Sequence, residues 1–145
     1  MSNARNIASI AGEDVLNASN EIVPVYACRA WVNFSGTFAF SGTTQYSPTD
    51  SPTPINNSGN ISSVEEKGTG DYLITFDQQM PHTNYCVSGK VVNNVYSTTS
   101  DNSIRTVMVH KDDLSASAVR VFCKFANANN TGSEEEDSIM VTVFC

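Results

Sequence analysis

The chain has 145 residues, a formal net charge of −7, 40% hydrophobic residues and only 16% charged ones. That length suits one domain with a proper core, and the composition excludes a disordered chain. The acidity argues against nucleic acid and anionic membrane surfaces as partners, and no stretch approaches the roughly 20 apolar residues of a membrane span.

Residues 1–20 carry a single basic residue, Arg5, and no apolar run long enough for a secretory signal, which points to folding in a reducing cytoplasm. Ile7 and Ile10 are spaced as on a weak helical face, too little for an autonomous helix. The segment reads either as a tail or as an anchor that orders against a partner, with Ile7 and Ile10 as its apolar contacts. Residues 21–145 form the body.

The body opens with IVPVYACRAWVNF, rich in β-branched and aromatic residues, which predicts a strand. Tyr26, Cys28, Ala30, Val32 and Phe34 share one face and Trp31 lies on the other, so either both faces are buried or one lies against another subunit. After the Ser35-Gly36 turn, TFAFSG reads as a hairpin partner. Residues 42–58 hold three prolines and almost no apolar residue, and predict a long loop. ISSVEE, the KGTG turn and DYLITF make the clearest hairpin, with Tyr72, Ile74 and Phe76 on one face. Met80-Pro81 interrupts, and a strand resumes from Thr83 to Val92.

SIRTVMVHK and ASAVRVFCKF both alternate, the second placing Val119, Val121 and Cys123 opposite Arg120, Phe122 and Lys124. The apolar run SIMVTVFC belongs in the middle of a sheet or against an oligomer axis, because an exposed edge of this kind would fray or aggregate. Trp31, Phe34, Phe76, Val141 and Phe144 are therefore expected at a core or subunit interface. About eight strands with frequent polar turns predict an all-β antiparallel sandwich, jelly-roll-like, behind a short non-globular N-terminal segment.

Little in this pattern points to catalysis, a metal or a cofactor. His82 and Cys86 sit four apart, but outside a helix, and His110 beside Asp112 and Asp113 reads as a strand end. Glu134 to Asp137 lacks the alternating oxygen ligands of a calcium loop. The four cysteines, Cys28, Cys86, Cys123 and Cys145, lie among strand formers and read as buried free thiols. Recognition is expected from polar loops on a rigid scaffold: Tyr46 in 42–58, Asn93, Asn94 and Tyr96 in 93–102, and Asn129 in 126–137. Tyrosine and asparagine suit sugar hydroxyls through stacking and amide hydrogen bonds.

ACRAWVNFSGT, followed after an insert by GNISSVEEKGTGDYLITFDQQMPHTNYCVSG, resembles a module of bacteriophage tail-fibre and related virion proteins. The matching positions are Cys28 to Phe34, Asn60 to Val64, Gly68 to Tyr72, Phe76, Met80-Pro81 and Asn84-Tyr85, about a third of the chain in one ordered series. The resemblance implies a virion component, made in the host cytoplasm and usually homotrimeric, that touches other virion proteins and a host-surface polysaccharide or protein. Relatives of that type often carry a long N-terminal shaft, whereas only about 20 residues precede the module here. Two functions are thus expected: a non-enzymatic tail-fibre protein for host attachment, or a capsid decoration, cement or connector protein pegged by its N-terminal segment. A virion enzyme acting on host polysaccharide is the third and weakest reading.

Overall fold

A computed structural model describes residues 15–16, 22–23, 28–40, 45–92, 104–126, 131–133 and 137–145. The strands are β1 (Val15–Leu16), β2 (Ile22–Val23), β3 (Cys28–Phe34), β4 (Gln45–Tyr46), β5 (Ile55–Gly59), β6 (Ile61–Gly68), β7 (Asp71–Phe76), β8 (Cys86–Val92), β9 (Ile104–Leu114), β10 (Ala118–Ala126), β11 (Thr131–Ser133) and β12 (Ser138–Phe144). Every pairing is antiparallel. One sheet has four strands in the order β5-β3-β12-β8. The other has six: β4, β6, β7 and β10 in succession, then β9 on the far edge of β10 and β11 extending the line of β7. A separate ribbon pairs Val15–Leu16 with Ile22–Val23 and so straddles residue 20.

The sheets pack face to face because each principal strand alternates. In β7, Tyr72, Ile74 and Phe76 are buried while their neighbours are half-exposed, and β12 buries Ile139, Val141 and Val143. Ala30, Val32 and Phe34 of β3 meet Val64, Tyr72, Ile74, Val119, Val121 and Cys123 of the opposite sheet in one hydrophobic cluster. Phe34 and Tyr72 touch edge to face, with ring centroids 5.0 Å apart, and the Tyr72 hydroxyl donates to the Gly36 carbonyl at 3.2 Å. Each such fully buried side chain contributes roughly 1.5–3 kcal/mol of transfer free energy, which is why the alternation dictates the fold. The antiparallel sandwich expected from the sequence is present, while the strand order lends no support to the jelly-roll refinement.

The chain changes sheets at one sharp corner. β5 belongs to the four-stranded sheet and β6 to the six-stranded one, with only Asn60 between them, in the left-handed region at φ 57°. Asparagine tolerates that conformation better than most residues, and here its side chain also ties the corner down. Nδ2 donates to the carbonyls of Arg29 and Gln78, both at 3.0 Å, and Oδ1 accepts from the Gln78 amide at 2.6 Å. At the opposite edge β9 approaches β8 so closely that a Cβ on Gly89 would lie 2.5 Å from Val107 Cβ.

Four local expectations are corrected. TFAFSG is no hairpin partner: residues 35–40 contain no strand, only a turn at Gly36-Thr37 and a bend at Phe38, and Phe38 and Phe40 pack edge to face with each other and with Tyr46. The neighbours of β3 are instead β5 and β12. The stretch 42–58 is not all loop, since it contains β4 and most of β5, and the strand expected from Thr83 starts at Cys86. The thiols are free, but only Cys123 is buried; Cys28 and Cys86 are exposed and Cys145 is intermediate. Tyr26 lies outside the described residues.

Candidate functional site

Of the six exposed large apolar side chains among the described residues, four lie on strands of the four-stranded sheet and two, Met108 and Val109, on β9 of the other. Because Ala30, Val32 and Phe34 point inward, Trp31 must point outward, and because Ile139, Val141 and Val143 point inward, so must Met140 and Phe144. Trp31 is 38% exposed, Met140 38%, Phe144 37% and Val92, at the end of β8, 42%. Register places Trp31 opposite Thr142, Met140 opposite Asn33 and Lys90, and Phe144 opposite Cys28 and Cys86. Trp31, Met140 and Phe144 therefore form a triangle around Thr142, at diagonal spacings within reach of large side chains.

The surroundings of the triangle are polar and ordered. Asn33 Oδ1 accepts from Ser138 Oγ at 2.8 Å and from Asn56 Nδ2 at 3.3 Å, and Thr142 Oγ1 donates to the Ser88 carbonyl at 3.2 Å. The indole of Trp31 lies over Gly59, whose missing Cβ makes the room: it would sit 2.4 Å from Nε1. Single exposed apolar residues need no explanation, but several on one sheet face within a polar surround mark a candidate interaction surface, here with the Trp31 indole leaning toward β5. The two exposed thiols belong to Cys28 and Cys86, the residues paired with Phe144 on its two neighbouring strands.

The outer face of the six-stranded sheet is different in kind. Arg120 forks onto Asp71 (Nε–Oδ1 2.8 Å, Nη2–Oδ2 2.6 Å) and reaches Asp113 with Nη1 at 2.9 Å. The hydrogen bonds it donates to these two carboxylates, Asp71 first, raise its pKa and keep it charged. His110, Asp112 and Asp113 are not a strand end, since β9 continues to Leu114; His110 Nδ1 lies 3.0 Å from Asp113 Oδ2 without a hydrogen bond, beside the Asp71–Arg120–Asp113 network that joins β7, β10 and β9. The Arg120 and Lys124 cations lie 5.5 and 5.1 Å from the Phe122 ring centroid. This arrangement is a brace: all three guanidinium nitrogens donate to the two carboxylates. Among the described residues no group of three His, Cys, Asp or Glu side chains is placed to hold a metal.

The residues singled out in the sequence separate cleanly. Phe34, Phe76 and Val141 are in the core, whereas Trp31 and Phe144 are on the outer face. Tyr46 is half-buried against Phe38 and Phe40, at centroid distances of 5.1 and 5.5 Å. Asn93, Asn94, Tyr96 and Asn129 lie outside the described residues, as do Ile7 and Ile10. Met140 was not anticipated, although its signal was present: in SIMVTVFC it must fall opposite Ile139 and Val141. No family model, no curated protein and no solved structure matches the chain.

Proposed function

We propose that the chain is a non-enzymatic virion structural protein of tail-fibre type, which assembles as a homotrimer and presents its loops to the host surface. The observation that carries this reading is the apolar triangle of Trp31, Met140 and Phe144 on the outer face of the four-stranded sheet. Three copies of one face turned toward a threefold axis cover all three sets of apolar side chains at once. The ordered motif series from Cys28 to Tyr85, with its resemblance to phage fibre modules, supports the same reading.

Light scattering on the full chain tests it. The expected mass is that of a trimer, falling to a monomer in Trp31→Ser/Phe144→Ser with little loss of thermal stability, because neither side chain is in the core. A monomeric wild type would overturn autonomous trimerisation.

A second reading is favoured by the packing of Tyr46, which draws an expected recognition side chain into an aromatic cluster. In it the chain is a decoration, cement or connector protein whose outer face takes another virion protein, with residues 1–20 as a peg. Deletion of residues 2–20 separates the two: lost virion incorporation at unchanged mass supports the peg, and unchanged incorporation removes it.

A further inference from the structure

Cysteine is among the residues most often buried, so an exposed free thiol is informative. Of the four free cysteines, Cys123 is buried, Cys145 packs against the core, and Cys28 and Cys86 are exposed. The exposed two are not scattered. Both stand opposite Phe144, Cys28 on β3 and Cys86 on β8, so the register holds them level with each other along the strands. For Cys28 that level comes from a register shift beside Phe144, which passes over Arg29.

Within one chain the two thiols cannot be joined. β12 lies between them, which at the usual strand spacing sets their Cα atoms about 9–10 Å apart, whereas a disulfide spans roughly 7 Å at most. Cys145 is no substitute. It continues the inward series Ile139, Val141 and Val143 and packs against the core, away from the side on which Phe144 emerges.

We infer that Cys28 of one copy and Cys86 of the next form a disulfide that closes three chains into a covalent ring. The inference rests on the proposed threefold assembly and names the residues that lock it. Rotation about an axis running along β12 leaves the height of every residue unchanged, so unlike residues of neighbouring copies meet only where they start level. Cys28 and Cys86 meet that condition, and they lie on opposite flanks of Phe144. A heterologous contact requires this arrangement, because the β3 flank of one copy then faces the β8 flank of the next.

The electron acceptor is a small external disulfide of the glutathione class. The Cys86 thiolate attacks it, forming a mixed disulfide and releasing one small thiolate. Cys28 of the neighbouring copy then attacks the Cys86 sulfur and releases the second. Two protein thiols are oxidised, the small disulfide is reduced to two thiols, and these carry off the two protons. A reducing cytoplasm holds the balance on the side of the free thiols, so folding and docking precede the lock.

The test uses the full chain, purified in reductant and then exchanged into oxidised glutathione. A species of three linked chains is expected on a non-reducing denaturing gel. Cys28→Ser and Cys86→Ser are each expected to abolish it, leaving two linked chains at most, while Cys145→Ser retains it. Both side chains are exposed, so neither change is expected to move thermal unfolding. The inference is overturned by the absence of linked chains, by three linked chains in either of the first two variants, or by a ladder extending past three. A peptide map with Cys28 or Cys86 bonded to Cys145 overturns it as well. Light scattering in reductant separates it from the proposed function. A trimer that never links removes the disulfide and keeps the assembly; a monomer that links into threes on oxidation keeps the disulfide and removes autonomous trimerisation.

Discussion

Glu65 is the least expected residue in the molecule, a carboxylate only 5% exposed on a strand of the six-stranded sheet. Its Oε1 accepts from Lys67 Nζ at 2.7 Å and its Oε2 from Gln45 Nε2 at 3.2 Å. The Lys67 hydrogen bond outweighs burial and holds its pKa below the ordinary value of 4.5. A folded-state pKa below the unfolded one gives stability that is in place above that ordinary value and is lost as pH falls through the folded value. Glu65→Gln is therefore expected to lower stability at neutral pH and to flatten its decline in acid, read from urea midpoints across the acid range; parallel declines would refute the assignment. In ISSVEE two glutamates adjoin, and the register shifts around Ser63 and Glu66 decide which one is buried, so no reading of the sequence could have chosen between them. Asn60 was equally hidden inside GNISS. Replacing it with alanine removes three side-chain hydrogen bonds and leaves a Cβ residue at φ 57°, an expected cost of about 1–3 kcal/mol in chemical denaturation. Asn60→Gly, which relieves the backbone, is expected to cost less.

At the scale of elements, what could be read ahead was whatever the alternation and turn chemistry shared. The β6–β7 hairpin follows from KGTG, with Gly70 at φ 64° in its turn, and the apolar run at 138–145 became a strand inside its sheet, between β3 and β8. β4 and β5 were not legible because neither has strand composition. QY is two residues long, and INNSG pairs because it leads into the corner beside β3. TFAF misled in the opposite direction, since its alternating aromatics are satisfied by stacking on Tyr46 and Tyr72 instead of by a ladder. The β8–β9 edge offers a clean test. In Gly89→Ala the new methyl meets Val107 at its Cβ, which cannot rotate away, so the strands must part. A loss of about 1–3 kcal/mol is expected from this overpacking, measured by equilibrium unfolding.

For the whole molecule, the sandwich could be read from its strands, whereas the division of labour between its faces could not. Trp31 was visible as an outward residue, but only register brings it together with Met140 and Phe144 and sets the charged brace of Arg120 on the other sheet. Trp31 is the sole tryptophan, so its emission reports on that face. If the face is covered in a trimer, dilution through dissociation is expected to shift the emission to longer wavelength, with the protein still folded by circular dichroism. Emission that does not change while the mass falls would place the interface elsewhere.

The position of β12 has a consequence for synthesis. A nascent chain that has emerged only as far as residue 137 can pair β6, β7, β10 and β9, but β3 and β8 then have no strand between them. The sheet face that bears Trp31 is completed only when residues 138–144 have cleared the ribosome, so under the proposed trimer, chains growing side by side on one messenger would have no completed face with which to dock prematurely.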